Sequence, residues 1–155
     1  MSTLIIISAA VFLSYMVAII ARYGIPASVS ESYYLLPLKW NAAFTLFCVA
    51  VAMTLLPAWL DKSPGPLPFL ACAGLAFVGV AAKFRDDFVE KTHVVAALLC
   101  GGFAQAWIVL CTPFWYLSLA FFLAGGWLAW RKRKQRIFWL ETAAFLSTFL
   151  TVYLY

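Results

Sequence analysis

Six long apolar runs, separated by short polar breaks, constrain the fold of this chain more than any other feature. A helix needs about 20 apolar residues to cross a bilayer core, and backbone groups in lipid must pair within their own segment. We therefore predict an all-α polytopic membrane protein, a compact bundle of six transmembrane helices in one domain. The predicted spans are residues 4–21, 42–60, 67–84, 88–112, 113–130 and 137–155.

The composition supports lipid as the natural surroundings of this chain. Hydrophobic residues make up 66% of it and charged residues only 11%, which leaves too little polar surface to cover a soluble domain. No basic residue precedes the first run, which is also longer than the apolar core of a signal peptide, so we expect a retained helix. No nucleic-acid motif accompanies the net charge of +5, and nucleic acid is not expected as a partner.

Lysine and arginine are distributed unevenly among the predicted loops. Loops one, three and five hold all of them except Lys62, which lies in loop two. Because cytoplasmic loops are enriched in these residues, we predict that the odd-numbered loops are cytoplasmic and both termini lie outside an inner or plasma membrane. Loop five should contact anionic lipid headgroups through Arg131, Lys132, Arg133, Lys134 and Arg136.

The densest polar stretch, FRDDFVEKTH, precedes the fourth run and holds the single histidine. On a helix, Asp86, Glu90 and His93 share one face at spacings of four and three. Three interpretations stay open: a helix cap with salt bridges, a site for a lipid headgroup or small molecule, or a metal site. Helical di-metal sites need the Glu-x-x-His spacing twice and this chain has it once, so we predict no metal and no cofactor.

Loop one contains SVSE, residues 28–31, which matches a capping box. The pattern predicts a short interfacial helix over residues 29–36 that presents Glu31, Ser32, Tyr33 and Tyr34. One interpretation is a membrane-surface helix held by its tyrosines. The other is a lid over the His93 region, to which Ser30, Glu31 and Ser32 would contribute.

Two polar side chains fall inside the predicted spans. We expect Gln105 to hydrogen-bond to a neighbouring helix, with a pore or cargo contact as the alternative. Glu141 lies close enough to Arg136 or Lys134 for an ion pair, or it extends to the interface; a proton-coupling role is the alternative.

Small and sulfur-containing residues predict how the helices pack. Ala97 and Gly101 form a small-xxx-small pair, which favours close helix packing, and Gly125 and Gly126 thin the fifth span. The four cysteines lie in apolar runs without metal-ligand spacing, so we expect buried thiols rather than disulfides or a zinc site.

The middle of the chain, about residues 23–105, resembles a known pattern. A glycine-containing third helix, GLAFVGVAAKF, is followed by a short polar loop and a histidine that opens the fourth helix at THVVAA. This is similar to six-helix DRAM-like and related bacterial membrane-protein families, and distantly to the alkaline ceramidase set. The resemblance implies a six-helix fold and a lipid-linked role. Ceramidase-type enzymes hold zinc with several histidines and an aspartate, of which only His93 has a counterpart here.

The leading functional prediction is a small integral membrane protein, without catalysis, that binds a lipid or a membrane partner through a cytoplasmic polar rim. Its expected partners are membrane lipids and a second copy or another membrane protein. Two alternatives stay open. One is a small transporter or channel that uses Gln105 and Glu141, and the other is a membrane-embedded lipid hydrolase that uses His93 and nearby carboxylates.

Overall fold

The computed structural model describes residues 2–81 and 87–155, apart from the side chains of residues 87–92. These residues form seven α-helices, and the prediction of an all-α fold is confirmed. The helices are α1 (Ser2–Tyr23), α2 (Ser32–Leu35), α3 (Ala42–Lys62), α4 (Pro66–Ala81), α5 (Asp87–Cys111), α6 (Trp115–Arg131) and α7 (Arg136–Leu154).

Four helical segments within the described residues are long and apolar enough to cross a membrane. They are Ser2–Tyr23, Leu38–Lys62, His93–Cys111 and Arg133–Leu154. Helix α4 is a shorter apolar helix, and α6 has 17 residues. The last residues of the predicted third span, 82–84, lie outside the described part of the chain.

Glycine and proline set the ends of the first helices. After α1, Gly24 adopts a φ of 80° and its N–H bonds to the carbonyl of Ile20 at 2.9 Å. The left-handed conformation of this residue ends the helix. Glycine suits the position because a side chain there would be strained. Helix α4 begins at Pro66, whose missing N–H costs nothing in a first helical turn.

Thr112 shapes the turn between α5 and α6. Its hydroxyl donates to the carbonyl of Ile108 at 2.8 Å and accepts from the N–H of Phe114 at 3.2 Å. Because Thr112 bonds within the turn and does not cap α6, that helix begins at Trp115. The fifth span was predicted to begin at residue 113, two residues earlier.

Contacts between helix ends show that successive long helices run in opposite directions. The N–H of Phe138, at the start of α7, bonds to the carbonyl of Ala27 at 2.9 Å. At the other end of the bundle, Lys62 bonds to the carbonyl of Tyr153 at 3.2 Å. Loop one (residues 24–41) and loop five (residues 132–135) therefore lie together at one end, which we name the loop-one end.

Five of the long helices form a ring. Helix α3 packs between α1 and α4, α5 between α4 and α7, and α7 returns to α1, while α6 packs outside the ring on α7 and α5. Aromatic rings join α1 to its neighbours: Tyr15 stacks on Phe47 with centroids 4.3 Å apart, and Phe12 stacks on Phe145 at 4.6 Å.

Helices α3, α4 and α5 approach each other closely where glycine faces cysteine. A Cβ at Gly79 would lie 2.6 Å from the Cβ of Cys48, and one at Gly74 would lie 3.1 Å from the Cβ of Cys100. A third close approach is Gly125, where a Cβ would lie 2.9 Å from a carbonyl oxygen of α7. The prediction that Gly126 also permits close helix packing is wrong, since nothing lies within 4 Å of a Cβ added there.

Candidate binding site

A cavity of about 90 Å³ lies inside the ring, between α3, α4, α5 and α7 and beneath loop one. Small side chains on α4 and α5 form one wall of it. Among the described residues that line the cavity, Glu141 is the one with an acidic or basic side chain. The small residues of this wall are Ala71, Cys72, Ala97, Cys100, Gly101 and Ala104.

The cavity corrects the prediction that Ala97 and Gly101 form a close helix contact. Both residues line the cavity, and a Cβ added at Gly101 would meet nothing within 4 Å. The opposite wall is built from bulky side chains of α3 and α7. The small residues here leave space rather than bringing two backbones together.

Aromatic side chains form the opposite wall. Helix α3 contributes Phe44, Phe47 and Trp59, and α7 contributes Phe145 and Phe149. Phe44 and Trp59 lie fifteen residues apart, about 22 Å at the rise of an α-helix. A cavity of small volume that extends over this length is narrow, which suits an extended hydrocarbon chain better than a compact molecule.

Glu141 sits at the loop-one end of the cavity. Its Oε2 accepts a hydrogen bond from the backbone N–H of Val29 at 2.6 Å, instead of the expected pair with Arg136 or Lys134. Five residues are 1.4 helical turns, so Glu141 and Arg136 point about 140° apart around α7. The carboxylate therefore faces loop one and the cavity, while Arg136 is exposed.

Hydrogen bonds fold loop one onto the bundle. Ser28 accepts the N–H of Glu31 at 3.0 Å, as a capping box requires. The carboxylate of Glu31 bonds instead to the N–H of Ala27, which closes a tight turn. The helix that follows is short, Ser32–Leu35, and not the predicted helix over residues 29–36.

Burial of loop one also differs from the prediction. Ser32 is 0% and Tyr33 only 9% exposed, whereas both were expected to be presented at the surface. The Ser32 hydroxyl donates to the carbonyl of Val29 at 2.6 Å and lies 2.9 Å from the Tyr15 hydroxyl. Tyr34 alone of the two tyrosines is strongly exposed, at 56%.

The candidate residues of the polar rim are only partly brought together. Ser30 lines the cavity with Glu141, whereas the buried Nδ1 of His93 has no hydrogen-bond partner among the described residues. Asp86 lies outside the described residues, and so does the side chain of Glu90. No contact between loop one and this acidic pair is therefore assigned.

Gln105 joins three helices, as expected for an amide inside an apolar bundle. Its Oε1 accepts the hydroxyl of Ser118 on α6 at 2.5 Å. Its Nε2 donates to the carbonyl of Ala144 on α7 at 3.3 Å, and Ser147 and Thr148 lie within 3.4 Å. These contacts give the amide a structural role.

Three of the four free cysteines line the cavity, namely Cys48, Cys72 and Cys100, and Cys111 is exposed. Over residues 2–81 and 87–155, no group of three histidine, cysteine, aspartate or glutamate residues is arranged to hold a metal ion. The thiols of the three lining cysteines act as small apolar groups in the cavity wall.

The basic residues of loop five form an exposed surface at the loop-one end. All five are exposed: Arg131, Lys132, Arg133, Lys134 and Arg136. The guanidinium of Arg131 lies 5.0 Å from the ring centroid of Trp127, a cation–π contact that orients the side chain beside an aromatic surface.

Comparisons of the chain with protein-family models, with curated proteins and with solved structures found no match.

Proposed function

We propose that this chain is an integral membrane protein that binds a single lipid chain in the cavity, with loop one as the cover of the site. The observation that carries the proposal is the cavity itself, which is apolar along its length and has one carboxylate at its loop-one end. An amphiphile has the same distribution of polarity, with a polar head on a hydrocarbon chain.

In the proposed topology, the polar end of the cavity lies near the membrane surface and its apolar end lies deeper in the bilayer. Glu141 lies five residues from Arg136, about 7 Å along α7. In the proposed topology the exposed basic residues of loop five lie at the cytoplasmic headgroup region, where anionic lipids attract them. The polar end of the cavity then lies near the interface, and its apolar end lies in the hydrocarbon core.

The proposed topology has six crossings with odd-numbered loops in the cytoplasm. It is supported by the alternating direction of the six long helices and by the basic residues of loops one and five. Helix α4, with 16 residues, is about 24 Å long. The described part of this helix is shorter than a bilayer core of about 30 Å, and residues 82–84, which complete the proposed span, lie outside the described part of the chain.

Cysteine labelling tests the topology. In a variant whose four cysteines are alanine, Ser63→Cys should react with a membrane-impermeant maleimide on intact cells, because it follows α3 at the outer end. Lys132→Cys should react only after the cells are opened. The reverse pattern would contradict the proposed orientation. Labelling of both cysteines in intact cells would contradict the placement of loops two and five on opposite sides of the membrane.

Native mass spectrometry of the detergent-purified chain tests lipid binding. The wild-type chain should retain a bound lipid, and Gly101→Leu should lose it, because the added side chain occupies the cavity. Gly102→Leu is the matched control, since Gly102 is exposed and lies next to Gly101 on the same helix. Equal retention of lipid by both variants would contradict binding in the cavity.

The two alternative functions have less support from the described residues. A transport path through Gln105 would have to break the contacts that this amide makes with α6 and α7. A hydrolase would need a reactive group beside His93, whose buried Nδ1 has no hydrogen-bond partner among the described residues. Lipid binding requires no such rearrangement.

A further inference from the structure

We propose that the cavity selects a single-chain amphiphile with an ammonium head, which Glu141 holds at the loop-one end. This inference rests on the proposed function and adds the chemical class of the ligand. It follows from the charge, the remaining hydrogen-bonding capacity and the aromatic neighbours of Glu141.

Charge is the first argument. Among the described lining residues Glu141 is the only acidic side chain, and none is lysine, arginine or histidine. In an apolar site a carboxylate attracts a cation and repels an anionic head more strongly than it would in water. A fatty acid or a phosphate head is therefore disfavoured at this position.

Hydrogen-bonding capacity is the second argument. An ionised carboxylate offers about four acceptor positions, and the N–H of Val29 occupies one of them, on Oε2. One backbone donor is a small compensation for placing a carboxylate in an apolar wall. The three N–H groups of a primary ammonium would supply both the missing donors and the opposite charge.

The aromatic neighbours of Glu141 are the third argument. Phe145 lies four residues further along α7, on the same face of the helix, and both residues line the cavity. Phe44 lines the same cavity from α3 and contacts Tyr33 of loop one with centroids 6.0 Å apart. Ring faces attract ammonium groups, so Phe145 favours a cation beside the carboxylate and the aromatic wall of the cavity favours a cation over an anion.

The test uses three amphiphiles with the same chain and different heads: dodecylammonium, dodecanol and dodecanoate. Each is titrated at pH 7 into the chain in nanodiscs of a zwitterionic lipid, and binding is followed by tryptophan fluorescence, since Trp59 lines the cavity. Gly101→Leu provides the background from partition into the bilayer. We expect dodecylammonium to bind at least tenfold more tightly than the other two.

Glu141→Gln isolates the charge. This variant should lose the preference for dodecylammonium and keep its affinity for dodecanol within about twofold, because the amide can still accept the N–H of Val29. Glu141→Asp, which keeps the charge, should retain the preference. If Glu141→Gln does not fold, the comparison of the three ligands on the wild-type chain decides by itself.

The outcomes separate this inference from the proposed function. Equal binding of the three amphiphiles, abolished by Gly101→Leu, would leave a chain-binding cavity and overturn the ammonium preference. Tightest binding of dodecanoate would overturn it too, and would indicate that the exposed basic residues of loop five recognise the head. Binding that Gly101→Leu does not change would overturn the proposed function along with the inference.

Discussion

The α3–α4 interface and the α5 wall of the cavity both depend on glycine, with opposite results. At the interface, the backbone of Gly79 meets Cys48 so closely that an added Cβ would lie 2.6 Å from the cysteine Cβ. At the cavity, the same addition to Gly101 meets open space. A small residue in an apolar helix thus permits either close packing or a cavity, and the facing helix decides which one forms.

The facing side chains explain the difference. Opposite Gly79, α3 presents Cys48 and Thr45, and the Thr45 hydroxyl bonds to the Gly79 carbonyl at 2.8 Å. Across the cavity from α5, α7 presents the bulky side chains of Phe145 and Phe149. The ligand site therefore lies between a bulky aromatic wall and a wall of small residues.

Gly79→Ala should have the largest effect on stability. Overpacking of a filled interior costs about 1–3 kcal/mol, and here backbones on both sides resist movement, so we expect a loss of about 2 kcal/mol. Reversible unfolding in mixed micelles measures it. Gly102→Ala is the control, because its added Cβ has open space and alanine favours the helix. Equal stability of the two variants would contradict the close packing of α3 on α4.

Gly101→Ala should raise stability where Gly79→Ala lowers it. Alanine is favoured over glycine in a helix by about 1 kcal/mol, and the added methyl meets no neighbour within 4 Å. The same unfolding measurement should show a gain of up to about 1 kcal/mol. A loss similar to that of Gly79→Ala would mean that the α5 wall is packed and that the cavity closes in the membrane.

The positions of the helices could be predicted from sequence because each apolar run must pair its own backbone in lipid. The cavity could not, since the small residues at 97 and 101 do not show which side chains face them. The partner of Glu141 was also missed, because Val29 lies 112 residues away in sequence. The five-residue spacing from Arg136 was a usable signal against an ion pair.

Loop one shows the same limit at shorter range. The capping-box pattern predicted the bond from the Glu31 N–H to Ser28, which the structure contains. Burial of Ser32 depends on the Tyr15 hydroxyl of α1, and no local pattern indicates that contact. One of the two hydrogen bonds of the capping box was therefore predictable, while the partner of the Glu31 carboxylate and the side of the loop that packs on the bundle were not.

Gln105→Leu should lower stability, because Gln105 is a residue of α5 that holds neighbouring helices and does not line the cavity. Its amide bonds to α6 and α7, so the substitution should cost about 0.6–1.7 kcal/mol, the range for hydrogen bonds between membrane helices. A double-mutant cycle with Ser118→Ala measures the coupling between the two side chains.

Ligand binding is the second measurement on Gln105→Leu. The affinity for dodecylammonium should stay within about twofold of wild type, because the polar contacts of Gln105 are with neighbouring helices. A tenfold loss, about 1.4 kcal/mol, would show that the amide contributes to the ligand site and would restore the transport alternative.

Tyr15→Phe should have the smallest effect on stability and should act on loop one alone. It removes the contact of 2.9 Å with Ser32 and keeps the ring that stacks on Phe47. The expected cost is about 0.5–1 kcal/mol, the net contribution of one hydrogen bond. Because loop one covers the cavity, its loosening should speed ligand dissociation more than it lowers stability. Stopped-flow fluorescence with dodecylammonium measures that rate, and an unchanged rate would show that the ligand leaves between the helices and not beneath loop one.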